Sequence, residues 1–449
     1  VRKIKANGMP EGGIVVYLRG GKYFVTESVV FGKEDSGTAA APVVYRSYPG
    51  EEARIIGGRQ ISGFKILADP DIIKKLPDGS KEKVWVADLK AQGITDYGKL
   101  TNRGGYGKGN PSAMELFFNG KPMWLARLPN TGYARVAGLS KPDGEATGRG
   151  KYQNGEFKYS GNRPERWLDE KDVWLHGFWY FVYAKDHVKL KSIDTKNKTI
   201  SLYNDTRWHP TYPLYKVMVG MDAPYYVYNL LSELDAPGEW YIDSDTGKLY
   251  FYPPDRIAGG EILVSTLDAP LVVMNNASNT VLSGLTMEVT RRNAVDIKNG
   301  RNNMIVKSTV RNTGQWAIFV DGGWEHKVIG CDMHGMGEGG VSLRGGDRIK
   351  LIPDGHVVDN NHIYSFNRFD GGYRQAVIID GIGERVSHNV IHDSPMQAIY
   401  LNANDNIIEF NEIHDVPYEG REIGSVYMYG EPWYLMSRGD VIRNNFFHH

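Results

Sequence analysis

Seven segments in the last third of the chain can be laid on one another: VLSGLTM (281–287), IVKSTV (305–310), VIGCDM (328–333), VVDNNHI (357–363), RVSHNVIHD (385–393), IIEFNEIHD (407–415) and VIRNNFF (441–447). Equivalent positions fall at Leu285, Thr309, Cys331, Asn361, Asn389, Asn411 and Asn445, with spacings of 24, 22, 30, 28, 22 and 34. A unit this short cannot bury its apolar face alone, so it must stack on copies of itself. Short β-branched strands with a period near 22 read as one turn of a right-handed parallel β-helix, an all-β solenoid of the pectate-lyase-like kind. The longer spacings are the same turn with a loop let into it.

Each repeat carries a further strand after its turn: AVDIK (294–298), AIFVD (317–321), GVSLR (340–344), AVIID (376–380), AIYLN (398–402) and SVYMY (425–429). Alternation sends the second and fourth residues inward, from Val295 and Ile297 to Val426 and Met428. The first, third and fifth residues are then expected outside. The first column is small (Ala294, Ala317, Gly340, Ala376, Ala398, Ser425), which predicts room for a loop or ligand against the sheet. Tyr400 and Tyr427 stand beside it in register, with Arg344, Asp380 and Asn402 alongside. Long turns lead into these strands, so loops, aromatics and charges converge on coils four to six.

At 449 residues the chain exceeds one compact core. Residues 1–60 read as N-terminal strands and first coils, 61–261 as an inserted β-rich domain, and 262–449 as the main coils carrying the site. The insertion is marked by antiparallel hairpins that a parallel solenoid does not contain. One turns at Asn119-Gly120 and another at Asp245-Thr246-Gly247. The aromatic run WLHGFWYFVY (174–183) is expected to pack a core; the alternative is that Trp167, Trp174 and Trp179 form one wall of a cleft.

Lys plus Arg and Asp plus Glu balance at 53 each, so no nucleic-acid or anionic-membrane partner is expected. No apolar run is long enough for a membrane span. The start, VRKIKANGMPEGG, is not a signal peptide, and any leader is taken to have been removed from a secreted, periplasmic or cell-surface protein. The end, in mid-coil, implies that the natural chain continues or that its last coil is masked. The single cysteine, Cys331, should be a packed thiol rather than a nucleophile. No His/Cys spacing suggests zinc, and the acidic loops are interleaved with Arg and Lys, so neither metal nor cofactor is expected.

Two carboxylates cleave a glycosidic bond from about 5–5.5 Å apart with retention, or about 6.5–9.5 Å with inversion. Asp380 ends one strand and Glu422 precedes the strand two coils on, a separation of roughly 9.6 Å at about 4.8 Å per rung. These two are the candidate catalytic pair. Glu431 is the rival to Glu422, and Glu338 should orient Arg374 or simply pair with it. Tyr373, His392 and Trp433 complete the candidate substrate-binding set with Arg344, Arg374, Tyr400, Tyr427, Glu338 and Glu431. The dipeptides His392-Asp393 and His414-Asp415 recur at one rung position, and of the two histidines His392 has the loop expected to open toward the groove. Asn361, Asn389, Asn411 and Asn445 should stack as an asparagine ladder that satisfies turn backbone.

The runs IVVYLRGGKYFV, VVYRSYPGEEARIIGG, ELFFNGKPMWLARLPN, GEWYIDSDTGKLYFYPP, GEGGVSLRGGDR, NEIHDV and VIRNNFFHH resemble bacterial parallel β-helix carbohydrate-active proteins, most of all those around glycoside hydrolase family 141. The resemblance spans essentially the whole chain. It implies fucosidase- or xylanase-like glycoside hydrolysis and two acidic catalytic residues on late coils, about forty residues apart. Asp380 and Glu422 fit that spacing. Glu422, in REIGSVY, stands where such proteins often have Asp. The expected partner is a plant, algal or host polysaccharide or oligosaccharide. The alternatives are a lyase that cleaves a uronate-containing glycan through Tyr373 and Arg374, and a non-catalytic glycan-binding solenoid.

Overall fold

The computed structural model describes residues 1–104, 111–146, 150–203, 217–421, 423–428 and 438–449. It divides into two compact units. One comprises Val1–Arg59, Ser265–Phe369 and Arg374–His449; the other comprises Gln60–Val264 with Asp370–Tyr373.

The first unit is a parallel β-helix of three sheets. The first sheet stacks nine strands, from Ile14–Leu18 and Val43–Ser47 through Thr280–Ser283 to Val441–Arg443. The second also stacks nine, from Gly21–Phe24 and Ala53–Ile56 through Leu285–Thr290 to Phe446–His448. The third stacks eight, from Val29–Phe31 through Val272–Asn275 to Val426–Met428. Strands Val43–Ser47 and Ala53–Ile56 pair in parallel with Thr280–Ser283 and Leu285–Thr290, so consecutive coils are separated by more than two hundred residues of chain.

The corner between the first and second sheets is one residue in the left-handed region: Gly284, Lys307, Gly330, Asn360, His388, Phe410 and Asn444, with φ between 48° and 66°. The residue after each corner faces inward. Pairing of Thr286 with Thr309 and of Thr309 with Asp332 makes Ser308, not Thr309, the equivalent of Leu285 and Cys331. The first two spacings are therefore 23 and 23. The sequence alignment slipped because Ser308 and Thr309 are both small β-compatible hydroxyl residues.

The asparagines form the expected ladder. Asn389 Oδ1 accepts from the backbone N–H and Nδ2 of Asn361, and its own Nδ2 donates to Val358 O and Asn411 Oδ1, at 2.9–3.0 Å. Asn411 stands likewise toward Asn445. Cys331 takes the same slot one coil earlier, buried, and burial pushes its thiol up to about 11. It is a packed thiol.

A second buried polar ladder precedes the first-sheet strands. Asn303 Oδ1 accepts from Thr280 N, His326 Nδ1 from Asn303 N, and His356 Nδ1 from His326 N. Further on, Asn406 Oδ1 accepts from Glu384 N and Asp440 Oδ1 from Asn406 N. Because its rungs are Asn, His, His, Glu, Asn and Asp rather than one residue type, the column is hard to see in sequence.

The third sheet corrects one expectation. Its second and fourth residues fill the core from Val295 and Ile297 to Ile399 and Leu401, as alternation requires, but Val426 is only half-buried and Met428 is 48% exposed. The small first column faces inward too: Ala294, Ala317, Ala376 and Ala398 are fully buried. These residues sit on the bend entering the sheet, where alternation breaks. A Cβ on Gly340 would lie 2.9 Å from Ile363 Cγ2, a core atom of the second sheet. Their size serves a tight corner, not a ligand.

The second unit is built mainly on antiparallel pairs, with Trp124–Leu125 joining Glu239–Asp243 in parallel. Leu116–Phe118 turns through Asn119 and Gly120, both at positive φ, into Lys121–Pro122. Glu239–Asp243 pairs with Lys248–Phe251 in the second expected hairpin. Trp174–Gly177 lies between Asp186–Asp194 and Pro224–Tyr228. Trp167, Trp174 and Trp179 are 3–5% exposed. They pack this unit's interior and line no open wall.

Candidate active site

Outward residues of the third sheet give the first unit a wall of aligned side chains. Parallel pairing places Asp296, Phe319, Ser342, Ile378, Tyr400 and Tyr427 in one column. The Tyr400 and Tyr427 rings stack 6.0 Å apart at 15°. Beyond them, at the strand ends, come Lys298, Asp321, Arg344, Asp380 and Asn402.

Asp380 is the chemical centre of this wall among the described residues. One carboxylate oxygen accepts from Arg344 Nε at 3.3 Å and the other from Asn402 Nδ2 at 3.2 Å. Its side chain is 33% exposed. Burial pushes the Asp380 carboxyl above the ordinary range, and the Arg344 charge and the two hydrogen bonds pull it only part of the way back. Arg344 also lies 3.8 Å from Asp321. A carboxyl that keeps its proton beyond the usual pH, still open to solvent beside an aromatic pair, has the character of a general acid.

Four residues along the chain from Asp380, Glu384 turns its carboxyl into the interior. It meets Asp354, from the corner of the preceding coil, and both are almost wholly buried. Two adjoining carboxyls in such a place cannot both ionise. Burial and the charges of Asp354 and Asp380 hold Glu384 well above its ordinary value, while burial raises Asp354 to about 6. His356, beside Asp354, is driven down to about 3 by burial and by the neighbouring His326. This cluster escaped sequence reasoning because Asp354, His356 and Glu384 look like ordinary loop residues until the coils are stacked.

The other sequence candidates fall in several places. Glu338 is 1% exposed and accepts from Arg374 Nε at 3.2 Å and from Gln315 Nε2 at 3.4 Å. It is a buried partner of Arg374, not a group facing a ligand. Tyr373 belongs to the second unit and adopts φ 47°. His392 is corrected: it lies on the second sheet, stacked between Tyr364 and His414 at 5.1 and 4.6 Å, away from the column of Tyr400. Its loop does not bring it to Asp380 because the strand carrying it ends before the bend into the third sheet. Glu422, Glu431 and Trp433 lie outside the described residues.

A concavity of about 780 Å³ lies near the N-terminal end of the same sheet, by Val30, Glu34, Asn275 and Ser278, and another of about 380 Å³ lies within the second unit beside Tyr97, Lys171 and Trp240. Neither contains a member of the Asp380 cluster. The chemistry points to the open wall.

No curated protein matches the chain. Among solved structures, it is similar to one described as a glycoside hydrolase, with 15% identity over 99% of this chain and 91% of that one and a TM-score of 0.54. That likeness speaks for the fold. A second, the complex structure of XylC with xylose, has 11% identity over 99% of this chain and 66% of that one, with a TM-score of 0.48. Residues 168–254 match the family model of the GH141 insertion domain, so the resemblance read from the sequence holds for the segment that runs from before Trp174 to the end of the second hairpin.

Proposed function

We propose that the protein is a glycoside hydrolase of the family 141 kind, acting outside the cytoplasm on a polysaccharide or oligosaccharide, with Asp380 and Glu422 as its carboxylate pair. The observation that carries this reading is the Asp380 carboxyl itself: raised by burial, held in orientation by Arg344 and Asn402, and still reachable beside stacked Tyr400 and Tyr427. The insertion-domain match supports the same reading.

In this account Asp380 donates its proton to the leaving oxygen and Glu422 activates water. Inverting pairs stand about 6.5–9.5 Å apart, which leaves space for that water. Arg344 fixes the Asp380 carboxyl and moderates its proton affinity, and the tyrosine pair offers a sugar ring an apolar face.

The lyase reading requires a cation free to neutralise a uronate. Arg374 instead directs its Nε to buried Glu338 and is 13% exposed, which favours hydrolysis. The test is a screen of aryl-glycosides and glycans with the wild type, followed by Asp380→Asn and Glu422→Gln on whichever substrate turns over. On an unlabelled glycan, hydrolysis yields products without the ultraviolet absorbance of an unsaturated uronate, and both amides lose turnover there while retaining the wild-type circular dichroism. An unsaturated, absorbing product, or wild-type rates in both variants, overturns the assignment.

A further inference from the structure

The outer face of the second sheet carries a column of rings that plays no part in the Asp380 wall. His334, Tyr364, His392, His414 and His448 occupy one position in five successive coils, with centroids 4.6–5.1 Å apart. Two residues earlier in each strand, on the same face, stand Asp332, His362, Val390, Glu412 and Phe446.

Three histidines of this face turn Nδ1 to a carboxylate, which directs Nε2 outward. His414 Nδ1 lies 2.8 Å from Asp415 Oδ2, and an ionised carboxylate can only accept, so the proton belongs on Nδ1 and the Nε2 lone pair is left bare. One coil earlier His392 Nδ1 meets Asp393 at 2.8 Å, and one coil before that His362 Nδ1 meets Asp332 at 3.3 Å. The Nε2 atoms of His362 and His392 then face each other at 2.7 Å. Two lone pairs at that distance repel unless a cation, a proton at the least, lies between them. His362, His392 and His414 are each buttressed by a carboxylate at Nδ1, which is how metal-bound imidazoles are oriented.

Three donors converge where the column reaches its last described strand. Glu412 and His414, from one strand, and His448, from the next, present ligand atoms that all lie within 4.8 Å of one another. Glu412 Oε1 is 3.1 Å from His448 Nε2. All three side chains reach solvent, so an ion has a path in and open positions for water. Two imidazoles and one carboxylate suit a borderline divalent transition ion such as zinc, and do not suit calcium or magnesium, which take oxygen.

We propose that Glu412, His414 and His448 form a divalent transition-metal site that clips the strand Glu412–His414 to the strand Phe446–His448. The chain leaves the second sheet after His414, passes through the third-sheet strand Val426–Met428 and returns only at Phe446. An ion held by both ends closes that excursion, and its binding free energy becomes stability of the last coil. The site is independent of the glycosidase reading, since it lies on another sheet and needs no turnover to be seen.

The test uses tag-free protein stripped with a chelator and titrated with zinc by calorimetry, with cobalt as the spectroscopic probe. One equivalent of zinc binds, the thermal midpoint rises, and cobalt gives the absorption of a protein-bound ion. Glu412→Gln and His414→Ala abolish saturable binding, and Asp415→Asn weakens it by about 10-fold by releasing the His414 ring. His362→Ala, which removes one member of the neighbouring pair and none of the three ligands, leaves the stoichiometry and affinity unchanged. Absence of saturable binding, or binding that survives Glu412→Gln and His414→Ala, shows the trio to be a plain hydrogen-bonded stack and overturns the proposal. Loss in His362→Ala moves the ion to the His362–His392 pair and overturns it equally.

Discussion

Asp380 stands under opposing influences, and their order can be measured. Burial favours the protonated acid, whereas Arg344 favours the carboxylate. Removing the guanidinium therefore raises the proton affinity further. Arg344→Leu is expected to move the alkaline limb of kcat/KM to higher pH, because the acid form survives longer; a limb that stays in place or moves down contradicts Asp380 as the proton donor. The place of Asp380 on the outward wall was legible in the sequence because a charged residue closes an aliphatic strand beside aligned tyrosines. The Asp354–Glu384 pair behind it was not, since no local pattern marks residues that meet only when corners from successive coils stack.

The histidines of the inner ladder give a second prediction at this scale. Burial lowers His326 to about 4 and His356 to about 3, so both fold neutral, while an unfolded imidazole takes a proton near pH 6.5. Their contribution to stability is complete above that value and is lost as pH falls toward 3 or 4. The raised Asp354 and Glu384 act in the opposite sense, so the signal lies in a comparison: between pH 7 and pH 4 the wild type should lose more stability to urea than His356→Asn, by a few kcal/mol at most. Equal losses would remove His356 from the account.

At the scale of strands and corners, the repeat was readable because each coil needs the same two things, an apolar core residue and a satisfied corner. The asparagine ladder supplies the second. Asn389→Ala leaves the Asn361 N–H and the Val358 carbonyl without their buried partner, at a cost of about 2–4 kcal/mol. Urea denaturation of the variant measures it, and a change under half a kcal/mol would mean that water replaces the side chain. The small column misled for a related reason. Ala294 and Gly340 follow the same period as the outward residues, and sequence alternation carries no mark of the bend that turns them inward. The one-residue slip at Ser308 arose because that corner has Lys307, whereas the preceding corner is marked by Gly284 and the following one by Gly330.

For the molecule as a whole, the hairpins at Asn119-Gly120 and Asp245–Gly247 announced antiparallel structure, and strong turn residues made them legible. The β-helix bridges the interruption through its own hydrogen bonds: Thr266 and Leu267 donate to Gly57 O, and Val43–Ser47 and Ala53–Ile56 pair with strands that follow the insertion. Replacing 61–263 by a short glycine linker is therefore expected to give a soluble chain with the circular dichroism of a β-helix. Failure to fold would show that the first two coils need the inserted residues. Nothing local in SFNRFDGGYRQ signals that Asp370–Tyr373 belongs to the second unit. That assignment rests on pairings such as Asp370 with Arg103 at 2.6 Å, remote in sequence.

The central claim is that the carboxyl of Asp380 is a proton donor to a glycosidic oxygen. Its most direct measurement is the turnover of Asp380→Asn beside the wild type, on an unactivated glycoside that the wild type hydrolyses. Loss of a general acid removes about 10²–10⁴-fold in kcat, and the loss should shrink on an aryl-glycoside whose leaving group needs no proton. A variant that keeps the wild-type rate on the unactivated substrate, with its fold intact, contradicts the account.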